Sequence, residues 1–314
     1  DIIVTANPAS QGEFWNPPSP PPPAPPLTPA QATALAVSTF KQLSAFLDRT
    51  GVSYSELEDV KASLPGEGGL LRQPFINPTG ALFIKHLDSS CDTAQKEIAG
   101  LDVDALDRLH RFIRLWRATG LGLPQVNLAI RHDPVGAGAL DEPAFVRLGH
   151  IFRLARRAGQ PAGDLLLLFG PGKDGWPGAV YNRIFANPAN GSATAELAAP
   201  VVKANEALAA GTGVQIATKL SPIGLSLARK PEEIDKLRAV LANDDLTFTN
   251  LAALYGLSTV ARLAGLSVAS FLALRRLSGI DPIAGPVETW SFLDVAQLLT
   301  SSSIDPVDLE RLLT

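Results

Sequence analysis

The chain has 314 residues, enough to bury a sizeable core and to form about two domains. Its net charge of −4 and pI near 5.6 give no electrostatic reason to expect a nucleic-acid partner. The single cysteine, Cys91, excludes an internal disulfide and any multi-cysteine metal site, and no apolar run approaches the ~20 residues of a membrane-spanning helix.

Leu and Ala dominate the composition, while aromatic residues make up only 6%. Both are strong helix formers, and a β-sandwich of this size would want more Val, Ile, Thr and Tyr. The sequence begins at Asp1 and contains no Met, which points to a processed product or an excised fragment. It has no basic start followed by an apolar block, so no secretory signal is read in this chain.

Residues 1–30 differ from the rest. Pro17 to Pro26 is nearly all proline, which lacks the donor that helices and central strands need. This segment is expected to be extended, as a linker or tail, or else as a ligand for an SH3-like groove. Thr28 then reads as an N-cap with Pro29 in the first turn. Leu35, Phe40, Leu43, Phe46 and Leu47 fall at helical spacing, predicting a helix from Ala30 to Thr50. Gly51 stops it, and Ser53 with Glu56 forms a capping box for the next. Ser89-Ser90-Cys91-Asp92 reads as a turn before a helix, with Asp92 as a cap.

The clearest helix spans about Asp102 to Thr119. Leu106, Leu109, Ile113 and Trp116 make its apolar stripe, and Arg108, Arg111, Arg114 and Arg117 recur at three-residue spacing on its flanks. The arginine row fits a phosphate-binding face. A solvated flank pairing with carboxylates such as Asp104 and Asp107 explains it equally and is preferred. Pro- and Gly-rich loops are expected at 65–80, 132–143 and 170–192.

Gly170-Pro171-Gly172-Lys173-Asp174-Gly175 fits the dinucleotide pattern GxGxxG. That chemistry needs a strand before the glycines and a helix after them. Leu165–Phe169 reads instead as the end of a helix starting near Asp164, and Trp176-Pro177-Gly178 is a poor helix start. The glycine loop is therefore not expected to hold a nucleotide. Asn190-Gly191-Ser192 fits a glycosylation acceptor, but turn chemistry accounts for it as well. The pairs Glu232-Glu233 and Asp244-Asp245 are expected at helix starts or turns, where negative charge opposes the helix dipole. His86, His110, His132 and His150 show no metal-type spacing with each other or with Cys91.

One unit recurs: a helix ends at Gly and a short turn leads into a second helix. It is read at Gly51, Gly120, Gly159 and Gly265, with a variant at Ser303-Ile304-Asp305-Pro306. Gly120 and Gly159 are 39 residues apart, and Gly265 and Ser303 are 38 apart. A period near 40 is typical of stacked helix pairs, since one pair cannot bury its apolar face alone. The expected fold is all-α: an irregular stack of helix–turn–helix pairs in one or two lobes. Its divisions are a proline-rich segment 1–30, a helical lobe 31–192 with long loops, and a helical lobe 193–314. No catalytic, cofactor-binding or metal-binding residue is expected.

Two stretches go beyond generic helix patterning. One is Leu106-Asp107-Arg108-Leu109-His110-Arg111-Phe112-Ile113-Arg114-Leu115-Trp116-Arg117. The other runs from Leu246 to Leu277 and continues into Ser278-Gly279-Ile280-Asp281-Pro282. With Phe46–Leu57, Phe75–Pro78, Ser90–Asp92 and Tyr181–Pro188 in the same order, residues 40–314 resemble the A component of bacterial insecticidal toxin complexes. The resembling region is the one similar to the virulence-plasmid A-protein family.

The resemblance implies a very large secreted subunit that forms a bell-shaped pentamer. A partly α-helical shell surrounds its translocation channel and binds host cells, and B and C components supply the enzymatic cargo. It implies a non-catalytic shell segment as this chain's role, with self-association in the full-length subunit, indirect association with B and C, and a host-cell receptor as a further partner. Nothing in the chain resembles the channel, so no membrane insertion is expected of it. The alternative is a helical adaptor that binds other proteins, and behind it a nucleotide-binding enzyme using 170–175.

Overall fold

In a computed structural model, the described residues are 11–17, 26–59, 68–170, 178–191, 197 and 213–313. They are mostly helical, with a single two-stranded sheet among them, so the fold is all-α as expected. The proline run at 18–25 lies outside the described residues. The chain divides into two compact units, Asp1–Asn127 and Leu128–Thr314.

In the first unit the helices are α1 (Gln11–Trp15), α2 (Pro29–Lys41), α3 (Leu43–Thr50), α4 (Tyr54–Leu57) and α5 (Val103–Thr119), and α6 (Leu123–Arg131) crosses its end. The core is built by Phe40, Phe46, Leu57, Leu106, Leu109 and Phe112. The stretch before the prolines is not all tail: Trp15 is buried, its ring 4.9 Å from Phe40 and 5.7 Å from Phe46. An indole is large enough to seat a short helix that could not stand alone.

The caps read from the sequence form. The Thr28 hydroxyl accepts from the Gln31 amide, and that of Ser53 from the Glu56 amide. The continuous helix expected over Ala30–Thr50 is broken at Gln42. Its backbone turns extended, bridges to Glu97, and its side-chain amide donates to the Ala94 carbonyl. No Pro or Gly marks this break; the pairing with a distant segment makes it.

That segment belongs to a hairpin that the helical reading missed. Strands β1 (Phe83–His86) and β2 (Lys96–Ala99) pair antiparallel, with Ile84 opposite Ile98 and both buried. Asp92 does cap, but it caps a 3₁₀ turn, Thr93–Gln95, that feeds β2 rather than a helix.

The second unit continues with α7 (Glu142–Ala158), α8 (Ala162–Leu165), α9 (Gly178–Phe185), α10 (Leu220–Leu227), α11 (Pro231–Arg238) and α12 (Phe248–Leu263), then α13 (Val268–Ser278), α14 (Pro286–Ser301) and α15 (Pro306–Leu313). Helix α12 is buried nearly all round, as a central helix should be. The loop expected over 170–192 contains α9, which begins at Gly178. Tyr181 and Phe185, one turn apart, bury their rings, and that burial outweighs the poor start.

The lobe boundary expected at 192/193 abuts residues 192–196, which lie outside the described set. The two units instead divide after Asn127. The reason is packing within the second: α9 lies against α10, and the Tyr181 ring meets Phe248 edge-on at 5.3 Å. The 3₁₀ turn Leu166–Phe169 packs on α12.

The recurring turn has one physical signature. Gly51, Gly120, Gly159 and Gly265 all take left-handed backbone, with φ of 62, 66, 60 and 67°, and Ser303 takes it at 55°. This conformation turns the chain out of a helix while satisfying its last carbonyls, and glycine adopts it without a Cβ clash. The helix–turn–helix units are therefore set by backbone conformation at these positions.

Candidate functional site

The four histidines are held apart by structural roles. His86 ends β1 and is exposed. His110 sits under the short α1, its ring 5.2 Å from Phe14 and 5.7 Å from Trp15. Burial, helped by the charges of Arg114, Arg49 and Arg111, pushes its pKa from 6.5 down to about 4. It is neutral at pH 7. The His132 ring is buried, and its Nε2–H donates to the Gly170 carbonyl at 3.0 Å. Burial lowers its pKa, opposed by that hydrogen bond and by Asp133. The His150 main-chain carbonyl accepts from the Trp290 indole at 3.1 Å.

Cys91 is exposed on the connection between the strands. Among the described residues no group of three His, Cys, Asp or Glu side chains could hold a metal ion.

The glycine motif is only partly described, because 171–177 lies outside the described residues. What precedes it is the α8 helix and the 3₁₀ turn Leu166–Phe169, not a strand. The four leucine and phenylalanine side chains of that turn are buried. Gly170 itself is anchored by His132, a role for that histidine that nothing in its sequence neighbourhood signalled. The acceptor motif at Asn190–Ser192 reaches the edge of the described residues. Asn187 caps the short turn before it, and Gly191 follows with φ 77°.

The arginine row on α5 does not form a common anion face. Arg108 donates to the Ile76 carbonyl, and Arg111 is buried against Asp107 at 3.7 Å. Arg114 and Arg117 are exposed. The pairing with Asp107 was expected, but on a solvated flank, whereas both partners are buried. The two carboxylate pairs also hold structural positions. Glu233 accepts from the Lys230 amide at the start of α11 and meets Arg229 at 3.5 Å, while Asp244 meets Arg238 at 3.2 Å.

What remains is surface. In the first unit, a groove of about 560 Å³ runs between α2, β2 and the start of α5. Ala34, Val37, Leu101 and Val103 give it an apolar wall, with Lys41 and Glu97 also lining it. Its lining has no cysteine or histidine. In the second unit, exposed apolar side chains concentrate near the end of the chain. Leu298 is 66% exposed, Ile304 44%, Leu312 82% and Leu313 69%. In α15 only Pro306 is buried.

Among the described residues no single helix is long and apolar enough to cross a membrane. No family profile matches the chain. No curated protein matches it either.

Proposed function

We propose that the chain is a segment of the α-helical shell of a toxin-complex A subunit. On this reading it is a non-catalytic structural and interaction element of a secreted pentamer built around a translocation channel. Its direct partners are neighbouring shell helices. The B and C components associate with it only indirectly, and a host-cell receptor contacts the outside of the shell.

The observation that carries the reading is the helix–turn–helix series closed by left-handed residues at Gly51, Gly120, Gly159, Gly265 and Ser303. Its last pair leaves Leu298, Ile304, Leu312 and Leu313 open to solvent. A stack of helix pairs that ends in water has a polar outer face. Bare leucines at its edge favour a further protein surface there. The series of quoted motifs supports the same family.

The test is to place Leu312→Asp and Leu313→Asp together in the natural protein. An unchanged melting temperature would show that the double variant still folds. Assembly should be impaired, read as a loss of large particles by size-exclusion chromatography. Wild-type assembly by the double variant would remove the support of this face.

A further inference from the structure

We propose that Arg153, Arg157 and Trp290 form a docking site for a carboxylate-bearing segment of a partner protein. This inference is independent of the shell reading. Arg153 and Arg157 lie one turn apart on α7, and Trp290 comes from α14. The Arg153 guanidinium carbon is 4.8 Å from the centre of the Trp290 ring, and that of Arg157 is 5.7 Å away. Both arginines are exposed and the indole is half-buried. The indole N–H is fixed by the His150 carbonyl, so the ring cannot turn freely.

Two like charges are thus gathered on one aromatic ring. Among the described residues neither is within ion-pair distance of a carboxylate. Among the described residues the only side-chain acceptor on the pair is Gln297, whose Oε1 takes one bond from Arg157 at 3.3 Å. The α7 dipole accounts for Arg157 in the last turn, but its reach ends there and leaves Arg153 unexplained.

Stacking on an indole uses the face of a guanidinium and leaves its N–H edge free, in a fork that matches a carboxylate. A phosphate would fit the same fork. Phosphate sites, however, recruit backbone N–H groups at helix N-termini, and this cluster lies toward the C-terminal end of α7. The half-exposed indole adds apolar contact that a peptide can use and a free anion cannot. An acidic peptide segment is therefore the occupant the geometry favours.

The test uses the full chain and a fluorescent hexaglutamate peptide, read by anisotropy at low salt. Binding should be measurable and should weaken as salt rises. Arg153→Gln with Arg157→Gln should weaken it roughly five- to tenfold, the sum expected of two exposed ion pairs. Trp290→Leu should weaken it as well. Arg156→Gln removes an equal charge off the ring and should change it far less. Unchanged melting temperatures would show that all the variants fold. Equal loss in the Arg156 variant, no binding at low salt, or inorganic phosphate displacing the peptide at lower concentration than glutamate would each overturn the proposal.

Discussion

His110 is the residue whose protonation most directly opposes the fold. Its ordinary pKa of 6.5 falls to about 4 in its place between Phe14, Trp15 and three arginines. The unfolded chain therefore binds more protons than the folded one between those values. The stability that neutral His110 contributes is full above pH 6.5, drops as pH falls toward 4, and is gone below it. The full shift would correspond to roughly 3 kcal/mol, but the half-buried ring is screened by water, so about 1 kcal/mol is expected. Urea melts across this range should show that loss in the wild type. His110→Gln should remove it while leaving the smaller loss from His132, whose pKa burial also lowers.

Residue roles were legible in the sequence where they depend on near neighbours. Thr28 and Ser53 cap as their spacing implied, and Asp107 takes Arg111 one turn on. Roles that depend on distant partners were not. His132 meets Gly170 across 38 residues, and Trp290 meets Arg153 from another helix entirely.

At the scale of the element, three glycines of one unit should respond to the same change in different ways. Gly149 lies inside α7 with nothing within 4 Å of an added Cβ. Gly149→Ala should stabilise by about 0.5–1 kcal/mol, the helix-propensity difference. Gly159 is as open but has φ +60°. Gly159→Ala should cost roughly 1–2 kcal/mol for the left-handed backbone alone. Gly256 sits on α12 where the Leu166–Phe169 turn presses closest. An added Cβ would lie 2.5 Å from the Leu168 carbonyl oxygen and 2.8 Å from Ile283. Gly256→Ala should cost about 1–3 kcal/mol by overpacking. Chemical denaturation should place Gly149→Ala above the wild type and the other two below it, and any other outcome would contradict this packing.

Elements with their own local signal were legible: α5 falls where its apolar spacing put it, and α7 and α12 end at Gly159 and Gly265 as those glycines implied. The hairpin was not, because β1 and β2 are four residues each and too short to establish an alternation. The break at Gln42 was invisible for another reason. Its neighbours keep helical spacing, and only the bridge to Glu97 pulls the backbone away.

At the scale of the whole molecule, the sequence composition foretold an all-α chain, and the recurring left-handed turns account for how its helices follow one another. The division after Asn127 was hidden, since it falls inside α6, whose one proline, Pro124, stands in the first turn where it starts a helix rather than ends one. Neither unit gathers histidines, cysteine and carboxylates into a reactive cluster among the described residues. Leucine stripes instead press helix on helix and leave the last pair bare.

On the proposed reading this chain serves assembly, as part of a shell built from identical subunits. Mass photometry of the natural protein that carries it would then find a particle of five subunits. A single subunit at all concentrations would contradict it.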